Sequence, residues 1–151
     1  MTGDRAGGIR RVPLPDVMRI FVRKNGFLLS RVDQIANALY GALAEGGETL
    51  AQAEILLAIE ATDASDQVGL ARACGIDTST TAVILDNLVT TGLVAREQDR
   101  RDRRRSLPML TAQGERRMPG VRRAFAALQV ALIEDFKAAE RSVFVGLLGE
   151  V

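Results

Sequence analysis

The chain has 151 residues, 47% hydrophobic and 26% charged, the balance of one folded domain or of one domain with an added arm. It holds no histidine and one cysteine, which excludes Ser-His and Cys-His catalytic pairs, imidazole metal sites, an internal disulfide and a multi-thiolate centre, so no metal and no cofactor is expected. No apolar run reaches the ~20 residues of a membrane span and the amino terminus lacks the apolar core of a secretory signal, so the chain reads as a cytoplasmic protein that is no enzyme and has no membrane partner. The formal net charge of +1 hides a segregation: residues 1–25 carry +4, residues 26–95 carry −7, residues 96–123 carry +6 and the remainder −2. Basic blocks of this kind attract polyanions or form solvated surface.

Residues 1–15 read as a flexible basic arm, with Arg5, Arg10 and Arg11 among glycines and a stop at Pro13 and Pro15. From Asp16 to Ala44 the pattern is helical, with a break admitted at Asn25-Gly26. Leu28, Val32, Ile35, Leu39 and Leu43 recur at spacings of three and four, an apolar stripe widened by Ile20, Phe21, Leu29 and Ala36. Gly46-Gly47 ends this helix. Thr49-Leu50-Ala51-Gln52 is a capping box that opens a second helix through Ala61. Ser65 or Asp66 caps a third, Gln67 to Cys74, and Gly75 supplies its left-handed stop. Asp77 or Thr78 caps a fourth that runs to about Thr91, with Thr81, Ile84, Leu85 and Leu88 sharing a buried face, and Gly92 ends it. Residues 93–96 and 105–110 are short strands flanking an arginine-rich tip, Pro108 being tolerable at a sheet edge. Thr111 caps a helix that is expected to break at Pro119-Gly120 and to resume from Val121 to Lys137. A last helix spans Ala139 to Leu148.

A helix, a tight glycine turn, a second helix and a hairpin with a basic tip make a winged helix-turn-helix. In that arrangement the second helix enters a major groove while the tip follows the DNA backbone toward the minor groove. The expected groove-facing residues are Thr78, Ser79, Thr80, Ala82 and Val83. The expected wing contacts are Arg100, Arg101, Arg103, Arg104 and Arg105, some to phosphates and one in a narrow minor groove. Asp102 is expected to hold one of these arginines in a carboxylate fork.

The sequence resembles the MarR family of bacterial transcription regulators. The likeness runs through Leu70–Asp77, Leu85-Asp86-Asn87-Leu88, Gly92-Leu93-Val94-Ala95-Arg96 and the wing, where Asp99-x-x-Asp102-Arg103-Arg104 is followed by Leu107-x-x-Leu110-Thr111-x-x-Gly114. It implies a mainly α fold, a winged helix-turn-helix with N- and C-terminal dimerisation helices. It also implies a homodimer that binds a palindromic double-stranded DNA operator, more often as a repressor, and leaves it when a small molecule binds. The domain reading is an arm (1–15), an N-terminal dimerisation and pocket helix region (16–48), the DNA-binding domain (49–111) and C-terminal dimerisation helices (112–151). Dimerisation also answers the apolar load of Phe21, Phe125, Phe136, Phe144, Leu147 and Leu148, which a monomer of this size has no core to cover.

The stretch from Gly26 to Ile35 resembles members that regulate aromatic-compound catabolism, which makes an aromatic carboxylate or its CoA thioester the expected effector. Arg31, Gln34, Asn37 and Tyr40, polar residues among apolar ones on the first helix, are the candidate ligand contacts. The resemblance adds Arg96. The fourth helix departs from the family, because Ala82 and Val83 stand where many relatives carry Ser and Arg. The methyl groups of Thr78, Ala82 and Val83 are then expected to meet thymine methyls. Cys74 reads as core packing, not as a redox sensor. The rival reading is a winged-helix module for architecture or protein interaction, without ligand response.

Overall fold

The computed structural model describes residues 25–62, 66–99 and 105–149. Their elements, in chain order, are α1 (Asn25–Leu43), α2 (Leu50–Ala61), α3 (Gln67–Cys74), α4 (Thr78–Thr90), β1 (Val94–Gln98), β2 (Ser106–Leu110), α5 (Ala112–Ile133) and α6 (Ala138–Gly149). The basic arm, the expected helical stretch 16–24 with Ile20 and Phe21, Ser65 and the wing tip 100–104 lie outside the described residues, as do the side chains of Leu147 and Leu148.

Local chemistry sets the boundaries. The Thr49 box forms in full: the Gln52 N–H donates to Thr49 Oγ1 at 3.2 Å and the Thr49 N–H to Gln52 Oε1 at 2.9 Å. Asp66 caps α3 by accepting the Gly69 N–H at 2.9 Å, and Asp77 caps α4 by accepting the Thr80 N–H at 2.9 Å. Gly75 adopts φ 65°, the left-handed stop that a side chain resists. β1 and β2 pair antiparallel with Val94 opposite Leu110 and Arg96 opposite Pro108. The sheet has only these two strands among the described residues, so Pro108 interrupts no inner ladder. Thr111 closes the base of the hairpin and starts α5. Its hydroxyl donates to Gly92 O at 2.6 Å and accepts the Gly114 N–H at 3.0 Å, and its own N–H reaches Leu93 O at 3.0 Å. Gly114 is required there, since a Cβ would fall 2.1 Å from Leu93 O.

The chain separates into two compact units, residues 1–34 and 35–151. In the first, residues 26–34 are mostly exposed, with Phe27 and Arg31 half-buried. The second has its own core of Tyr40, Ile55, Leu56, Leu70, Leu85, Leu88, Val94, Met118, Val121 and Leu128. Within it α2 packs on α3, α4 and α5, while the hairpin leans on α4 through β1 and on α2 and α5 through β2.

The expectations for two helices change. The helix expected to break at Pro119-Gly120 is continuous from Ala112 to Ile133. Pro119 sits on the solvent side while Met118, Val121, Ala124 and Leu128 are buried along the other, so packing on both sides of the proline carries the helix across one missing hydrogen bond. That helix also stops at Ile133, short of Lys137, because Arg141 turns back to cap it: its Nε donates to Phe136 O and its NH2 to Glu134 O, both at 2.8 Å. The apolar stripe of α1 is the second difference. Leu28, Leu29, Val32, Ile35 and Leu43 of the stripe are exposed, whereas its Ala36 is buried and its Leu39 packs half-buried against the core, beside Tyr40, which the stripe did not include.

Candidate nucleic-acid interface

The helix-turn-helix is fastened at its corner. Ile76 N–H returns to Ala71 O at 3.0 Å across the Gly75 turn, and Gln67 Nε2 donates to Thr78 O at 3.1 Å, tying the start of α3 to the start of α4. On α4, Thr81, Ile84, Leu85 and Leu88 are buried, which leaves Thr78, Ser79, Thr80 and Val83 exposed and Ala82 half-buried. These are the residues the sequence nominated, brought together on one surface. Val83 is 61% exposed, and Val68 of α3 is exposed as well. The surface is one of methyl and hydroxyl groups.

The Asp77 carboxylate orders this surface. The hydroxyls of Ser79 and Thr80 and the Thr80 amide all donate to it, and these hydrogen bonds, the Ser79 hydroxyl first, hold its acid far below the usual carboxylate range. The Ser79 and Thr80 oxygens are therefore left as acceptors, suited to a base N–H or a water bridge.

No basic residue lies on α4. Its one charged side chain, Asp86, pairs with Arg96 of β1 at 2.7 Å, so the hairpin is anchored on the helix that carries the exposed face. Arg105, at the other root of the hairpin, pairs with Asp66 at 2.7 Å and approaches Asp99 at 3.9 Å. Arg100, Arg101, Asp102, Arg103 and Arg104 lie outside the described residues.

The candidate ligand residues are scattered. Arg31 (half-buried) and Gln34 (exposed) belong to the first unit; Asn37, Tyr40 and Arg96 belong to the second. Asn37 is exposed, Arg96 is engaged with Asp86, and Tyr40 is fully buried with its hydroxyl 3.5 Å from Glu48 Oε1. Burial first, and Glu48 second, push the Tyr40 phenol up to about 12. Cys74 packs half-buried against the core, and burial first, then Glu54, push its thiol up, so it is a poor thiolate.

One polar cluster had no sequence signal. Glu48, almost fully buried, accepts from Tyr40 with one oxygen and from Arg117 NH2 at 3.1 Å with the other. The pair joins residues 69 apart and lines clefts of about 300 and 410 Å³ on either side of it. Gly47, with φ 79°, is the turn glycine of the pair read as a helix stop. Gly46 has a different duty, since a Cβ there would lie 1.0 Å from Arg117 NH2. Among the described residues no group of His, Cys, Asp and Glu could hold a metal ion, and no helix is long and apolar enough to cross a membrane.

Residues 47–105 match the model of the MarR family. Similar solved structures include a probable transcriptional regulator from Pseudomonas aeruginosa, 25% identical, with 86% of this chain and 98% of that one covered and a TM-score of 0.80. The PcaV transcriptional regulator of Streptomyces coelicolor in complex with its natural ligand is 27% identical, with 92% and 96% covered and a TM-score of 0.77. Bordetella bronchiseptica BpsR, whose DNA binding is regulated by 6-hydroxynicotinic acid, is 26% identical, with 92% and 96% covered and a TM-score of 0.78. No curated protein sequence is significantly similar.

Proposed function

Given that the chain belongs to the MarR family of transcription regulators, we propose that it is a homodimeric repressor that binds a palindromic operator and leaves it when an aromatic carboxylate, free or as its CoA thioester, binds. The family is one of regulators and not of enzymes. The observation that carries the DNA-binding reading is the exposed face of Thr78, Ser79, Thr80, Ala82 and Val83 beside a hairpin anchored on the same helix by Arg96 and Asp86. Arg100, Arg101, Arg103 and Arg104 supply the phosphate contacts at the tip, and the α4 face reads bases through methyl groups.

Dimerisation is supported by the apolar side chains left exposed on the terminal helices: Leu28, Val32, Ile35 and Leu43 on α1, Val130 on α5, and Val143 and Val145 on α6. It joins segments 16–48 and 112–151 around the DNA-binding segment 49–111. A two-fold then sets two α4 helices about 34 Å apart, one turn of DNA.

The effector class is supported by BpsR, which answers to an aromatic acid. The candidate contacts on α1 are Arg31 and Gln34 in the first unit and Asn37 in the second. Arg96 is the candidate on β1, which would exchange Asp86 for a ligand carboxylate, while Tyr40, fully buried with its hydroxyl engaged with Glu48, presents no surface to a ligand. The regulator acts on DNA in the cytoplasm.

Sedimentation and gel shifts on the DNA upstream of its own coding sequence test this, with benzoates, hydroxycinnamates and 6-hydroxynicotinate added free, and the first two also as CoA thioesters. A dimer that shifts the fragment and is displaced by an acid of the panel is the expected result, with Arg31→Ala and Arg96→Ala binding DNA but resisting displacement. A stable monomer at micromolar concentration, or no shift at low salt, overturns the DNA-binding reading; a complex that survives the whole panel overturns the effector class alone.

A further inference from the structure

Arg105 stands one residue before β2, at the root of the wing. Its NH2 lies 2.7 Å from Asp66 Oδ2, 39 residues earlier in the chain, and its NH1 lies 3.9 Å from Asp99 Oδ2 on the opposite root. Asp66 is at the same time the N-cap of α3, because its other oxygen, Oδ1, accepts the Gly69 N–H at 2.9 Å. One carboxylate thus holds the first turn of the helix-turn-helix with one oxygen and the root of the wing with the other. The backbone closes the same junction, the Asp99 N–H donating to Arg105 O at 3.0 Å. The Asp66 acid is held below its usual range, first by the Gly69 N–H and next by Arg105, so the pair persists across the neutral range.

This is a different environment from that of a phosphate-seeking arginine. A guanidinium set between two carboxylates offers little net positive potential, and moving it to a phosphate exchanges one anion for another. The pair is also partly exposed, its side chains 47% and 34% accessible, so its own contribution to folding is small. Geometry is what it adds. β1 is tied to α4 by Arg96 and Asp86, and the root of β2 is tied to α3 by Arg105 and Asp66, so the hairpin is braced on both helices of the motif.

We propose that Arg105 is a positioning residue: with Asp66 it fixes the wing against α3, and it does not neutralise a DNA phosphate. The inference rests on the DNA-binding reading above. The test uses Arg105→Gln, Asp66→Asn and the double variant of the full-length protein. Asparagine keeps the helix cap, so Asp66→Asn removes the ion pair alone. Two readouts are taken: affinity for the upstream DNA fragment over a salt series, and the amide exchange rate of Asp99 in the DNA-free protein.

Each single variant is expected to weaken DNA binding roughly tenfold at fixed salt, within the coupling range of residues in one ion-pair network. The double variant is expected to bind no worse than either, with the parent's salt slope retained throughout. The Asp99 amide is expected to exchange faster by the same factor in all three. A phosphate contact behaves otherwise: Arg105→Gln loses about 0.9 from the log–log salt slope, while Asp66→Asn binds as well as the parent or better. That pattern overturns the proposal. If the parent binds no DNA, the DNA-binding reading fails by itself and the exchange rates decide the strut, which is overturned by an unchanged Asp99 rate or by additive effects in the double variant.

Discussion

Gly46→Ala is a small change with a large expected effect. The glycine does not have a positive φ, so alanine brings no backbone strain. The added methyl meets Arg117 NH2 at 1.0 Å, Arg117 Cζ at 1.9 Å and Glu48 Oε2 at 2.2 Å, distances no side chain tolerates. Arg117 is the flexible partner and 32% exposed, so it swings into solvent at little cost to itself. Glu48 cannot follow. Its side chain is 4% exposed and retains only the Tyr40 hydroxyl, at 3.5 Å. Stranding one member of a buried pair costs about 3–5 kcal/mol, and an exposed pair is worth about 0–1 kcal/mol. With one partner buried and the other partly wet, the expected loss is about 2–3 kcal/mol, or roughly 4–12 °C in Tm for a chain of this size. Urea and thermal unfolding followed by circular dichroism measure it. In a Glu48→Gln background the same substitution is expected to cost under ~1 kcal/mol, since no buried charge is left behind. Equal costs in the two backgrounds, or a Gly46→Ala protein as stable as the parent, would falsify the account of Gly46 as the seat of the Arg117 guanidinium.

Replacing Arg103 and Arg104 by alanine is expected to weaken specific and non-specific DNA alike and to lower the salt slope by about 0.9 for each phosphate no longer neutralised; parent-like binding at matched salt refutes the role of the tip. If thymine methyls meet Thr78, Ala82 and Val83 as proposed, substituting uracil for thymine in the operator is expected to cost about 0.8 kcal/mol per buried methyl-sized group, and Val83→Ser is expected to reduce the difference in a fluorescence titration. Because the folded Tyr40 phenol lies near 12 against 10 for the exposed group, the folded state holds the proton more tightly. Its contribution to stability is complete below about pH 10 and is lost as pH rises toward 12. Tyr40→Phe is expected to flatten denaturation midpoints across that window, and an unchanged alkaline limb counts against the assignment.

What was legible in the sequence was what is local. The Thr49 box, the caps at Asp66 and Asp77, the Gly75 stop and the buried face of α4 each depend on residues within four positions, and each is found. Where the sequence offered alternatives, Asp77 caps α4 because its two oxygens collect three donors, more than Thr78 could accept. Periodicity failed where burial depends on a distant partner. The stripe from Leu28 to Leu43 is real as a pattern, but only its Ala36 and Leu39 meet the core, together with Tyr40, while Leu28, Val32, Ile35 and Leu43 stay exposed. Pro119 read as a break because its ring removes a hydrogen bond, a local penalty outweighed by burial on both sides. At the candidate site, the residues of α4 were legible because their helix face was. The engagements of Arg105 with Asp66, Arg96 with Asp86 and Arg117 with Glu48 were not, because they span 39, 10 and 69 residues.

The Thr111 junction has a mechanical consequence. One hydroxyl grips the end of α4 at Gly92 and the first turn of α5 at Gly114, and a carbonyl presses where any side chain on residue 114 would stand. This joint couples α5 to the hairpin, and the Arg96–Asp86 and Arg105–Asp66 pairs couple the hairpin to α4 and α3, so a turn of α5 carries the whole motif with it. The strands are five residues long, which at about 3.4 Å per residue is a lever of roughly 17 Å. A tilt of α5 by ~10°, modest for a rigid-body switch, sweeps the far end of that lever through about 3 Å, the span of one hydrogen bond. A dimer that reorients its terminal helices by that little would lift its wings off the duplex with every internal bond of the hairpin intact.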